Sequence, residues 1–312
     1  MRLPQQHFPP DKQHAAISDI RHNTSASADP SHYLRAIVAT FDQREIAVAL
    51  LHVNGIDINY EVAGTGPSLL LIHGLGASLE SLREDIAVFS KDFRVIAYDA
   101  RGHGKSSRSA EFSLQDHIED AREIVSAVSQ GPVAVIGTSM GSYIAQGLAA
   151  QYHDLVERAV FVVPKSNGAS SSTARLLQEF ADEVRDMSSM EKQKFVLRRA
   201  FAPNTSDDVR ETTIARELIL PLGAEEFAAA SSALAGFDFR PILPSVKART
   251  LVMTGRHDSI NPPAEGRVCA ALVPYSIHFE FWNSGHFPSA EEPGWYYAVT
   301  RKFLGVQSDS AL

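Results

Sequence analysis

The chain of 312 residues carries 44% hydrophobic and 21% charged side chains, enough apolar material for a sizeable core and too much for wholesale disorder. With 37 acidic against 29 basic residues the net charge is −8, and the signs are interspersed, which argues against nucleic acid as a partner. The longest apolar runs, such as Ile46–Leu51 and Ala159–Val163, fall far short of the roughly 20 residues that span a bilayer, so no membrane association is expected.

Residues 1 to about 30 hold Pro4, Pro9, Pro10 and Pro30 with almost no apolar periodicity, and read as a mobile tail. His7, His14, His22 and His32 match no ligand spacing and read as solvated. The opening Met1–His7 lacks the apolar stretch of a secretory signal, so the cytoplasm is the expected location. From Tyr33 to Val48 the positions Leu34, Ile37, Val38 and Phe41 predict one amphipathic helix.

From about Leu50 short strands alternate with helices. Leu51–Val53 and Ile56–Tyr60, joined by Asn54-Gly55, predict a hairpin. Leu69–Ile72, Arg94–Tyr98, Val133–Ile136 and Val160–Val163 predict buried strands, with helices over Leu79–Ser90, Leu114–Ser129 and Gly141–Tyr152 between them. Residues 166 to 245 break the rhythm: four helical patterns (Ser172–Met187, Met190–Phe201, Asp207–Leu220 and Ala224–Ala235) follow one another with no strand among them. Strands then resume at Thr250–Thr254 and Ile277–Phe281, before a terminal helix Trp295–Leu304. Cys269, the only cysteine, excludes an intrachain disulfide and reads as a small buried hydrophobe in the helix after Pro263. The fold class that follows is α/β, a mostly parallel central sheet covered by helices, with an all-helical cap inserted at residues 166–245. The core then comprises residues 49–165 and 246–306, an N-terminal extension residues 1–48 and a short tail residues 307–312. A helical insertion in a parallel sheet is expected to lie over the strands' C-terminal ends, where such sheets bind ligands.

The chemistry concentrates in Gly137-Thr138-Ser139-Met140-Gly141, between a buried strand and a helix. A serine on so sharp a turn projects its hydroxyl outward, and only small residues such as Gly137 and Gly141 leave room for the turn. A serine hydroxyl needs a base to take its proton and a third group to orient that base. Asp258 and His286 follow the next two predicted strands, in loops at the same sheet edge as Ser139, in the chain order Ser, Asp, His. The Met140 N–H, at the start of the following helix, is placed to stabilise a tetrahedral oxyanion.

These residues bring a family into view. From about Leu50 to Leu304 the chain resembles the α/β-hydrolase superfamily, particularly its small members with a helical cap. The matches are Leu71-Ile72-His73-Gly74-Leu75-Gly76, Tyr98-Asp99-Ala100-Arg101-Gly102-His103-Gly104-Lys105-Ser106, the Ser139 turn, the Asp258 loop and Gly285-His286. The resemblance implies Ser139 as nucleophile, His286 as general base, Asp258 as the acid that orients it, and Leu75 N–H as the second oxyanion donor. It also implies loop-bracing roles for His73, Asp99 and His103. Ser142 departs from the glycine often found there.

The expected reaction is hydrolysis of small or medium carboxylic esters through an acyl-enzyme, with no metal or organic cofactor and a small-molecule ester or lactone as the only partner. The Ser-Met-Gly turn is also similar to that of enol-lactonases and of cofactor-free haloperoxidases or perhydrolases, which makes a lactonase the enzyme alternative. A hydrolase-fold ligand receptor or scaffold is the non-enzyme alternative. A serine nucleophile, and a cap without Tyr, Trp or His from Lys165 to Val246, argue against dehalogenase and epoxide-hydrolase chemistry. Phe180, Phe195, Phe201, Phe227, Phe237 and Phe239 supply helix packing or an apolar lid that favours uncharged substrates. Carboxylate recognition by Arg198, Arg199 or Arg216 is the competing expectation.

Overall fold

A computed structural model describes residues 47–169 and 171–306. The N-terminal tail, the C-terminal tail and nearly all of the helix predicted over Tyr33–Val48 lie outside the described residues. The last two positions of that helix, Ala47 and Val48, belong instead to strand β1 (Ala47–Val53), paired with Val62 and Glu61, so the core begins before residue 49. The predicted hairpin continues into β2 (Ile56–Ala63), and its turn works because Asn54 and Gly55 both take positive φ, 49° and 75°.

Six further strands complete one sheet: β3 (Ser68–Ile72), β4 (Arg94–Tyr98), β5 (Val133–Thr138), β6 (Val156–Val162), β9 (Arg249–Gly255) and β10 (Ser276–Phe281). The short strands β7 (Asn167–Gly168) and β8 (Phe237–Asp238) pair only with each other. The main sheet runs β1-β2-β4-β3-β5-β6-β9-β10, and β2 is its one antiparallel strand. The strands read as continuous apolar runs because both faces are buried. In β3, Leu70 and Ile72 join the layer formed with helices Leu114–Val128 and Met140–Gln151, whereas Leu69 and Leu71 point to the layer of helices Arg83–Phe89 and Pro293–Leu304. No helix among the described residues is long and apolar enough to cross a membrane.

Between β6 and β9 lie the helices Ser172–Glu179, Ala181–Val184, Ser189–Arg199, Asp207–Glu217 and Ala224–Ser232. Two details differ from expectation. The first helical pattern breaks at Phe180, whose φ of −109° leaves the helical region, and the β7–β8 ladder closes the base of a segment read as free of strands. Two-residue strands carry no periodicity of their own, which is why the sequence pattern passes over them. The helices share a small apolar core of Leu176, Val184, Phe195, Val196, Phe201 and Ile214, which also takes in Ile260 and Phe287 from the loops after β9 and β10. The segment therefore sits over the C-terminal ends of these strands, beside the loops that carry Asp258 and His286.

Candidate active site

Strand β5 ends at Thr138 and the next helix begins at Met140, so Ser139 alone makes the turn. Its φ and ψ of 53° and −115° are unfavourable for a residue with a Cβ, a strain of about 1–3 kcal/mol held by the surrounding structure. The flanking glycines are required by contact. A Cβ on Gly137 would lie 2.1 Å from the Gly141 carbonyl oxygen, and one on Gly141 would lie 2.2 Å from that of Ile72. Ser142 donates from Oγ to the Ser139 carbonyl at 2.6 Å, tying the first turn of the helix to the serine.

His286 and Asp258 stand on the loops after β10 and β9. His286 Nδ1 donates to Asp258 Oδ2 at 2.7 Å, and both residues are buried. The other Asp258 oxygen accepts from the Ile260 and Asn261 N–H groups at 2.8 and 2.9 Å, which fixes the carboxylate plane. With Nδ1 committed to Asp258, Nε2 is the ring nitrogen left to meet a second group. His286 and Ser139 line one cavity, together with Leu75, and that cavity offers about 80 Å³ of room to water-sized groups. Met140 opens the helix after Ser139, and Leu75 lines the cavity that holds the serine. No group of three or more metal-ligating side chains occurs among the described residues.

His73, Asp99 and His103 brace loops. His73 donates from Nδ1 to the Gly74 carbonyl and accepts at Nε2 from the Ala100 N–H, a neutral tautomer that burial favours by lowering its pKa. Asp99 accepts from the Leu79 and Lys105 N–H groups and from Asn59 Nδ2, all within 2.8 Å. These contacts hold the His73-Gly74 loop and the Asp99–Ser106 loop against each other.

Two residues escaped the sequence reading. Buried Asn261 donates from Nδ2 to the Tyr143 hydroxyl and to the Val163 carbonyl, both at 2.7 Å, and accepts from Ser172 Oγ at the start of the helical segment. Glu291 accepts at Oε2 from the Gly285 and Phe287 N–H groups and at Oε1 from the Ala202 N–H and Thr205 hydroxyl. Asn261 thus joins the Asp258 loop, and Glu291 the His286 loop, to the helical segment. An isolated Asn or Glu leaves no periodic mark; only the adjacent Asp258 and His286 motifs point to their neighbourhoods.

The wall facing the serine departs from an apolar lid. Of the segment's residues, Thr173, Val196, Leu197, Arg216 and Glu217 line the cavity, and none of the six phenylalanines does. Phe180 and Phe195 pack edge to face beneath the Arg199 guanidinium, and Phe201 packs on Phe287. Phe237 stacks on Tyr143 and touches Phe239, while Phe227 lines a smaller adjoining pocket. The helices are short and need these rings to bury against one another. Arg198 and Arg199 are paired with Glu211 and Glu183 away from the cavity, leaving Arg216 as the one of the three expected arginines that reaches it.

Comparison with known proteins follows the same lines. Residues 67–293 match the sequence model of the alpha/beta hydrolase fold family. The chain is 27% identical to 3-oxoadipate enol-lactonase 2 of Acinetobacter baylyi over 247 residues, 78% of this chain and 91% of that one. It is 25% identical to the pimeloyl-[acyl-carrier protein] methyl ester esterase of Vibrio atlanticus over 245 residues, 75% of this chain and 92% of that one. Among solved structures it resembles the enol-lactonase from Burkholderia xenovorans LB400, with a TM-score of 0.72 and 26% identity over 82% of this chain and 99% of that one.

Proposed function

The chain belongs to the alpha/beta hydrolase fold family, and on that premise we propose that it is a serine hydrolase cleaving small or medium carboxylic esters through an acyl-enzyme. The observation that carries the reading is one cavity lined by both Ser139 and His286, with His286 held at 2.7 Å by Asp258. Relatives named as a methyl ester esterase and enol-lactonases support ester or lactone hydrolysis as the reaction class.

His286 Nε2 takes the proton of Ser139 as Oγ attacks the ester carbonyl carbon. The carbonyl oxygen gains the negative charge and is met by the Leu75 and Met140 N–H groups, whose orientation is set before the substrate arrives. As the tetrahedral intermediate collapses, protonated His286 returns its proton to the departing alkoxide, and the acyl group stays on Ser139. A water molecule then gives its proton to His286, attacks the acyl carbon and releases the acid, restoring the serine. Asp258 keeps the ring in the required tautomer and offsets its positive charge between the two transfers. A lactone follows the same steps with the leaving alcohol still joined to the acyl group, and the relatives named as enol-lactonases favour it as a second substrate form.

The test is a screen over nitrophenyl esters, methyl esters and lactones with a fluorophosphonate probe in parallel. Ester turnover with a single adduct at Ser139 supports the reading. Ligand binding without turnover of any ester or lactone would transfer it to a receptor on the same fold.

A further inference from the structure

The cavity that holds the serine also carries three ionisable side chains: Asp85 from helix Arg83–Phe89, and Arg216 and Glu217 from the end of helix Asp207–Glu217. Each has polar capacity left over. Asp85 is only 8% exposed, the buried Tyr297 hydroxyl lies near its carboxyl, and its Oδ1 completes no hydrogen bond. Arg216 places Nη1 2.8 Å from Glu84 Oε2, yet its buried Nε–H has no acceptor. Glu217 is in electrostatic reach of both Arg216 and His286, and no described residue hydrogen-bonds its carboxyl.

Three kinds of substrate group can be weighed against this set. A plain alkyl chain would cover all three side chains and leave their unmet polar atoms without a partner, the costly way to bury them. A carboxylate would accept from Arg216 Nε–H, but Glu84 already answers that guanidinium charge, and the newcomer would face two further carboxyls. A hydroxyl both donates and accepts, so one group can donate a hydrogen bond to Asp85 or Glu217 and accept one from the Arg216 Nε–H. Burial pushes Asp85 up to about 7 and Glu217 above the usual carboxylate range, so the site disfavours negative charge, and a hydroxyl brings none.

We propose that Asp85, Arg216 and Glu217 form a specificity subsite for a neutral hydroxyl on the acyl or alcohol part of the substrate, so that the preferred substrates are hydroxy esters. The inference rests on the serine-hydrolase reading and adds the substrate class to it. Alkyl chains and free carboxylates are then the poorer substrates.

The experiment compares matched triplets on the full-length enzyme. On the acyl side these are methyl butyrate, methyl 3-hydroxypropanoate and monomethyl succinate; on the alcohol side, propyl, 2-hydroxyethyl and 2-carboxyethyl butyrate. In at least one triplet the hydroxyl member should exceed both others by about tenfold or more in kcat/KM. Glu217→Leu and Asp85→Leu should each shrink that ratio to about threefold or less, whereas Glu217→Gln and Asp85→Asn, which keep an acceptor and add a donor, should retain most of it. Fluorophosphonate labelling of Ser139 in each variant verifies that the site is assembled. Labelling at Ser139 without a hydroxyl preference, a faster carboxylate member, or a preference untouched by Glu217→Leu and Asp85→Leu overturns this inference alone. Absence of both labelling and turnover in the wild-type protein overturns the hydrolase reading and this inference with it.

Discussion

At the scale of single residues, the proposal depends on a serine held in a backbone conformation it would not choose alone. Ser139 keeps φ at 53° because the helix behind it, the glycines beside it and the Ser142 hydroxyl leave no other path. Ser139→Ala should therefore fold normally, lose fluorophosphonate labelling and lose ester turnover; labelling that moves to Ser142 would reject the assignment. Asp258 and Asp99 give the sharper comparison, since both are buried carboxylates with several donors. Asp258 reaches His286, whereas Asp99 spends its oxygens on Leu79, Lys105 and Asn59. Asp258→Asn should lower kcat by about 10⁴ through the wrong imidazole tautomer. Asp99→Asn should act mainly on stability. Steady-state kinetics beside thermal unfolding checks both, and a larger kcat loss for Asp99→Asn would reverse the assignment.

At the scale of elements, the loop that carries His286 is clamped to the helical segment. The His286 N–H donates to the Ala200 carbonyl at 2.7 Å, and Glu291 divides its carboxylate, one oxygen to the His286 loop and the other to Ala202 and Thr205. Glu291→Ala leaves four donors without an acceptor and should lower kcat/KM about 10- to 100-fold along with the melting temperature. Glu291→Gln has one oxygen to offer and should fall between the two. Wild-type kinetics in the alanine variant would show that the loop holds itself. This clamp also marks the limit of the sequence reading. The strands, the hairpin turn and the Ser139 motif are local, set by runs of apolar residues and by glycines at fixed offsets, and so are visible along the chain. Glu291, Asn261 and Glu217 acquire their roles only where the helical segment meets the sheet. Composition left the segment's phenylalanines between helix packing and an apolar lid for the same reason: it counts rings but does not say which helix face each one covers.

At the scale of the whole molecule, two sets of buried groups pull stability in opposite directions with pH. His73, His103 and His117 form a buried row with ring centroids 5.2 and 6.2 Å apart. Burial lowers all three, His117 from 6.5 to about 3, and Nε2 of His103 and His117 has no partner to welcome a proton. Such a group is protonated in the unfolded chain but not in the folded one between these values, so its contribution is present above pH 6.5 and is lost as pH falls towards 3. Asp85 is the reverse case. Burial raises it from 3.8 to about 7, so the folded protein holds the proton longer, and stability falls as pH rises through that window. Between pH 4 and 6.5 the two effects oppose each other, each with a slope approaching about 1.4 kcal/mol per pH unit per group. Urea unfolding of His117→Gln and Asp85→Asn, each expressed as the difference from wild type, isolates the slopes from the constant cost of each substitution. The Asp85→Asn difference should become more stabilising as pH rises across this range, and the His117→Gln difference more stabilising as pH falls. Two flat differences, or slopes of the same sign, would mean that water reaches these side chains and that the row of histidines is not what sets the acid limit of the fold.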